Sequence, residues 1–345
     1  MNPITVTMIG APGSGKTTYL YAMFTELARG VDAYGIYDRD RDSELELLEG
    51  WRALAEEGEV PEATDENPRF HEFVVQHGEY TAAVLSWSDF RGGALFSRSD
   101  QHSDVVRLQE RLLASDSIHL VLDGAKLASD PSGSSPRLRA ELGVERMSTF
   151  VRSAVEARVQ QRLPLPSVVV LITKADRIVN AANDEGVPHE QRMGEVVEAV
   201  IDLLPVLRRS GLTTMVCPVQ VGWFGAAQGR VDPTRVDTQR LHQPILFTVR
   251  HRYVVERYQQ QAALAELDAA ISSDKAELAA LDNRLLAGRR RRELRDAVDD
   301  AERRRSAATH AGDTADYWTS ILTTSIDGDV PIFHQGRRVD GGGGV

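Results

Sequence analysis

Apolar residues along this chain fall into short β-branched runs separated by longer amphipathic stretches, and the two periods predict different elements. Residues 4–9 alternate isoleucine, valine and methionine with threonine, predicting a first strand, and the helical pattern that follows runs to about Ala28 with Gly30 as its stop. Residues 69–77 and 80–87 are β-rich and flank Gly78-Glu79, which predicts a hairpin. Residues 118–122, 168–172 and 213–219 predict three more strands; the unbroken Val168-Val169-Val170-Leu171-Ile172 fits a strand buried on both faces of a parallel sheet. Between them lie helical patterns ending near Ala114, carrying Leu138, Leu142, Met147, Phe150 and Val151, and spanning residues 191–209. Alternating strands and helices predict an α/β fold, a three-layer sandwich around a mostly parallel sheet with one antiparallel hairpin strand, its ligand at the carboxyl edge.

Residues 31–68 interrupt this alternation as a polar, acidic insertion with one helical patch at Leu45, Leu47, Leu48, Trp51 and Leu54, closed by Gly58. Beyond about His251 the period changes. Leu264, Leu267, Ile271, Leu278, Leu281 and Leu285 follow three- and four-residue steps, with Asp274 at the missing position, which is a heptad-like face. Residues 289–305 resume as a charged helix after Gly288, so the pattern predicts a helical hairpin or coiled coil, with one long helix through Gly288 as the competitor. The expected organisation is a nucleotide-type domain at 1–250, a helical hairpin at 251–311 and a mostly flexible tail at 312–345.

Composition narrows the setting. The chain has 345 residues, 42% hydrophobic and 26% charged, with a net charge of −11, which disfavours nucleic acid or an anionic membrane as a general partner. The single cysteine, Cys217, leaves no internal disulfide framework, and no apolar run is long enough for a transmembrane segment. Both fit a cytoplasmic protein. The runs Arg289-Arg290-Arg291-Arg292 and Arg303-Arg304-Arg305 invite a phosphate-binding reading, but interleaved acids at helical spacing favour a salt-bridged, solvated helix. The heptad face needs a partner, either the returning helix or another chain, so residues 257–311 are the candidate arm for a protein partner or a homo-oligomer.

The candidate chemistry starts at Gly10-Ala11-Pro12-Gly13-Ser14-Gly15-Lys16-Thr17, between the first strand and the first helix. This is the phosphate-loop pattern G-x-x-x-x-G-K-[ST] in its required context. Gly10, Gly13, Ser14, Gly15, Lys16, Thr17 and Thr18 are therefore the expected nucleotide cradle, in which glycines let backbone N–H groups converge on phosphate oxygens. Lys16 reaches the β- and γ-phosphates and the Thr17 hydroxyl is placed to ligate Mg2+.

Three later stretches decide the nucleotide. Asp89-Phe90-Arg91-Gly92 ends the hairpin's second strand; Asp89 is placed to hold Mg2+ and Gly92 to offer its N–H to the γ-phosphate. Thr173-Lys174-Ala175-Asp176 follows a buried strand; the Asp176 carboxylate can accept from N1–H and N2–H2 of guanine while the Lys174 stem lies along the base plane. Thr64, in a Pro-x-x-Thr stretch, is a further Mg2+ ligand that would engage only with the γ-phosphate present, with Thr81 as its rival.

In this order the four stretches resemble the G1 to G4 boxes of the translation-factor and Ras-like (TRAFAC) class of P-loop GTPases, over residues 1–250 or so. The insertion and the loop-rich segment after the last strand are similar to the bacterial double-GTPase, or GTPase-associated, families often linked to conflict systems. The resemblance implies a GTP-binding switch with Mg2+-dependent hydrolysis of GTP to GDP. Pro218-Val219-Gln220-Val221-Gly222 lies where a G5 box would stand, without its usual Ser-Ala, which leaves a backbone contact to the base near Val221. Thr173 replaces an asparagine, and Gly93 stands where a water-positioning glutamine is common. Arg91 in cis, or Gln101 or His102 orienting water, are the candidates that remain, and slow intrinsic turnover raised by a partner or self-association is expected. An ATP-using P-loop enzyme and a nucleotide-binding scaffold with little turnover are the alternatives.

Overall fold

The computed structural model describes residues 2–61, 69–90, 102–224, 230–281 and 288–339, in two compact units: residues 1–249 with 325–345, and residues 250–324. The first unit is built on parallel strands that all end at one edge. These are β1 (Ile4–Gly10), β4 (Tyr80–Asp89), β5 (Ser117–Asp123), β6 (Ser167–Thr173) and β7 (Thr213–Pro218), paired in parallel in the order β4-β1-β5-β6-β7. β3 (Arg69–His77) pairs antiparallel with β4 around Gly78, as the turn chemistry predicts.

One face of the sheet is covered by α3 (His102–Ala114), α6 (Val144–Gln160), α7 (Ala175–Glu185) and α8 (His189–Leu203), whose Leu108, Leu112, Met147, Val151, Ile178 and Val200 pack on Ile118, Leu120, Val168 and Val170. Two short helices, α4 (Gly124–Ser129) and α5 (Pro136–Leu142), complete this layer. The opposite face carries α1 (Lys16–Arg29) and the first turns of α9 (Gln243–Leu281). Here Phe24, Phe73 and Trp87 form a tilted aromatic chain, with ring centroids 5.5 and 6.1 Å apart. Trp87 meets the buried His119 ring edge-on at 5.0 Å. His119 Nε2 lies 3.0 Å from Thr248 Oγ1, and Ser117 and Ser167 continue the same buried hydroxyl chain.

Two parts of this unit differ from the sequence expectation. The insertion after α1 contains an unexpected strand, β2 (Tyr34–Asp38), which extends the sheet beyond β3, before α2 (Arg41–Glu57). Asp40 caps α2 and Gly58 closes it in the left-handed conformation. Asp38 is buried at the end of the strand because the Ser43 hydroxyl donates to it at 2.6 Å and His71 Nδ1 faces it at 3.2 Å. In place of a flexible tail from Gly312, α10 (Gly288–Ser325) runs on for three more turns. β10 (Ile332–His334) then pairs antiparallel with β7 and with β11 (Arg337–Val339). Phe333 enters the core. Two strands of three residues are below the length at which alternation can be read.

The second unit is an antiparallel helical hairpin, so the single-helix alternative does not hold. Tyr253 stacks on Trp318 at 5.9 Å, and Arg305 reaches Asp268 and Lys275 reaches Glu302 across the pair. The heptad face on α9 is answered by Leu294, Val298, Ala308, Ala315 and Leu322, all buried. The arginine runs are salt-bridged, Arg289 to Glu293, Arg290 to Glu277 and Arg304 to Asp300.

Burial pushes the His119 pKa down to about 3, and its Nδ1 has no partner among the described residues. The unfolded chain therefore binds a proton that the native state refuses, so this contribution is present above about pH 6.5 and is lost as pH falls towards 3. Urea unfolding across this range should show His119→Gln flattening the acid limb by about 1.4 kcal/mol per pH unit relative to the parent chain.

Candidate functional site

The site is built where β1, β4, β5 and β6 end. Gly10 closes β1 against β5: a Cβ there would stand 2.7 Å from the Val121 carbonyl oxygen and 2.9 Å from Ser14 Oγ. Only glycine allows that approach. Gly13 and Gly15 hold φ of +71° and +86°, turning the loop so that α1 begins at Lys16 with no side-chain cap from Gly15 or any other described residue. An uncapped helix start behind two left-handed glycines is an anion cradle. Lys16 folds over it, its Nζ donating to Gly10 O at 3.1 Å and Ala11 O at 3.2 Å. Burial lowers the Lys16 pKa, against the pull of the Asp89 charge. Thr17 and Thr18 occupy the same first turn of α1, both half-buried.

Asp89 ends β4 in register with Met8, two residues before Gly10. It is fully buried, and neither carboxylate oxygen has a hydrogen-bond partner among the described residues. Burial pushes its pKa up to about 6, with Lys16 and then Arg69 pulling the other way. Arg69 stands opposite it on β3 and donates to the Tyr21 hydroxyl at 3.0 Å. Two orphaned oxygens beside a phosphate cradle, with Thr17 in the adjoining turn, fit a hard divalent cation. No cluster of three or more His, Cys, Asp or Glu suited to a metal occurs among the described residues. A site completed by phosphate and water needs none. Thr64, Arg91, Gly92 and Gln101 lie outside the described residues, and His102 is the first residue of α3.

The end of β6 is tied onto the loop. Thr173 Oγ1 lies 2.6 Å from Ser14 O and 3.1 Å from Leu122 O, joining the loop to β5 and β6. Lys174 Nζ donates to Gly13 O at 2.9 Å and to Asp123 Oδ2 at 2.7 Å. Asp176 is buried in the first turn of α7, and that burial raises its pKa against the charge of Arg177. The segment after β7 crosses the start of α7: Val219 N donates to Ile172 O at 2.8 Å, and Ala175 N donates to Val219 O at 3.3 Å. Val221 follows, half-buried, in β8 (Gln220–Gly222).

The structure thus brings Gly10 to Thr17, Asp89, Thr173 and Lys174 together, with Asp176 one turn on. Sequence reasoning missed Asp123 and Gly124. Gly124 stands where a Cβ would lie 2.2 Å from Thr173 O, and an Asp-Gly pair at a strand end reads as an ordinary turn.

Residues 7–175 match the family model of Double-GTPase 1. They form a double-GTPase family domain. This match spans the phosphate loop, Asp89 and the first residues after β6. No curated protein matches the chain. Among solved structures, a mutation variant of SsGBP is similar at 16% identity with a TM-score of 0.28, over 64% of this chain and 49% of that one. The chain thus spans about half the length of that structure, and the likeness is too slight to bear on fold or function. Among the described residues, no helix is long and apolar enough to cross a membrane.

Thr173→Val keeps the β-branched shape and removes the hydroxyl that the loop leans on. Denaturant titration should show a loss of about 1 kcal/mol, the usual net worth of a buried hydrogen bond, without a change in the slope that reports exposed surface.

Proposed function

We propose that this protein, whose residues 7–175 match the Double-GTPase 1 family model, is a GTP-binding switch that hydrolyses GTP to GDP with Mg2+. The observation that carries the reading is the tie of Lys174 to Gly13 and Thr173 to Ser14, which fastens the turn holding Asp176 to the phosphate cradle. A carboxylate fixed in that turn suits the paired N–H donors of guanine, which adenine does not present.

Each side chain then has a task. The loop N–H groups and the start of α1 receive the phosphates, and Lys16 exchanges its carbonyl partners for the β- and γ-oxygens. Thr17 and Asp89 would hold Mg2+, which supplies charge neutralisation between those oxygens. Placing positive charge at Asp89 would satisfy a buried carboxylate that has no hydrogen-bond partner among the described residues. The backbone near Val221 closes the base side. Thr64 and Gly92 are proposed to sense the γ-phosphate and Arg91 to stabilise charge in the transition state. Slow intrinsic turnover, stimulated by a partner or by self-association, follows from the missing glutamine at Gly93. A cytoplasmic location is part of the same proposal, supported by one buried free cysteine.

Competition of GTP and ATP for a fluorescent guanine nucleotide tests the reading. GTP should win, and Asp176→Asn should weaken guanine binding by about tenfold or more while favouring xanthine, as expected for hydrogen bonds to a charged group. Equal competition, with base preference unchanged in the variant, would transfer the site to an ATP-using enzyme. Single-turnover phosphate release, with Lys16→Ala as the blank, separates hydrolysis from binding alone.

The helical unit is proposed as the arm for a protein partner or a second copy. Its two heptad faces satisfy each other, so contacts would use the charged outer faces within residues 257–311. Deleting 257–311 should leave guanine nucleotide affinity within about twofold, as for independent sites, and change the mass measured by light scattering in the triphosphate state. Loss of nucleotide binding instead would make the arm part of the nucleotide domain.

A further inference from the structure

We propose that Asp123 is a positioning residue that fixes the phosphate loop through Lys174 and thereby sets how long nucleotide stays bound. The inference rests on the nucleotide-binding reading above.

Asp123 is the last residue of β5, in register with Thr173, and 6% exposed. Its two oxygens have separate partners. Oδ1 accepts from Ala125 N at 3.0 Å and starts α4, while Oδ2 takes the Lys174 ammonium at 2.7 Å. The same ammonium donates to Gly13 O at 2.9 Å. One cation therefore bridges a buried carboxylate and the outermost carbonyl of the phosphate loop. The carboxylate end of this pair is buried while the Lys174 side chain is 39% exposed, and a charge-assisted bond is stronger than a neutral one.

Two backbone features show that the arrangement is built rather than incidental. Lys174 holds φ of +53° and ψ of +41°, a left-handed conformation that non-glycine residues rarely adopt. That conformation turns the Lys174 side chain back onto the loop. Gly124, next to Asp123, has no room for a Cβ against Thr173 O, so the ends of β5 and β6 press together and Asp123 cannot swing away. The carboxylate is the anchor and the lysine is the strut.

The consequence falls on Gly13. Its carbonyl is drawn outward to Lys174, and this leaves the N–H groups of the following residues facing the cradle. Without the Asp123 charge, the ammonium is free to leave for water or for a bound phosphate, and the loop loses its outer tie.

Asp123→Asn isolates this role, because an amide oxygen still caps α4 while the charge is gone. In the nucleotide-free protein, hydrogen exchange at the Ser14 and Gly15 amides should rise about tenfold, the scale of one charged hydrogen bond. Release of a fluorescent guanine nucleotide should accelerate by a similar factor. Lys174→Met should reproduce both effects, and Asp123→Asn should add nothing in the Lys174→Met background, since both act through one bond. Parental exchange and release rates in Asp123→Asn, or additive effects in the double variant, would overturn the proposal. If the parent chain binds no guanine nucleotide, the preceding functional reading fails while the exchange comparison still decides the role of Asp123.

Discussion

The structure depends on parallel strands ending together. β1, β4, β5 and β6 are locked in register, so the residues after each strand meet at one edge although the strands end at Gly10, Asp89, Asp123 and Thr173. Close approach at that edge requires glycine at two places. Gly10 lets the loop lie on β5, and Gly124 lets β5 lie on β6. A single added methyl at either would separate strand ends that must touch, and with them the loop from Thr173 and Lys174.

On this frame the nucleotide-free chain holds its charges in an uneasy balance. Lys16 donates to two carbonyls, Asp89 has no hydrogen-bond partner among the described residues, and burial raises the Asp176 pKa. Each arrangement is costly alone, which makes this edge of the sheet the place where a bound ligand would gain most. The site is strained electrostatically rather than sterically. Nothing in the loop needs to be broken to admit phosphate; Lys16 has only to change acceptors.

Much of this was legible in the sequence because it is written locally. The phosphate loop needs its glycines and lysine at fixed spacing, and the buried runs at 4–9, 118–122 and 168–172 are long and β-branched enough to read as strands. The heptad face after residue 251 called for a partner, either the returning helix or another chain, and the ion pairs of Lys275 with Glu302 and Arg305 with Asp268 show the returning helix beside it. What escaped was written at a distance. β2 is an edge strand with tyrosines, a glycine and a terminal aspartate, whose burial makes sense only once Ser43 and His71 surround Asp38. β10 is three residues long and exists because β7 offers it a ladder. Asp123 has no local signature, since its meaning comes from Lys174, 51 residues later.

The ladder between β7 and β10 changes how the chain must be assembled. Residues 250–324 are an excursion from the sheet rather than an appendage to it, since the chain leaves after Val249 and returns at Ser325 to finish the same core. A ribosome therefore releases the final strands only after the whole helical hairpin has emerged, and until then β7 is a bare edge with its N–H and C=O groups open to other chains. The antiparallel pairing of the excursion draws its two ends together, which lowers the entropic cost of bringing Ser325 back to Val249 once the hairpin has emerged.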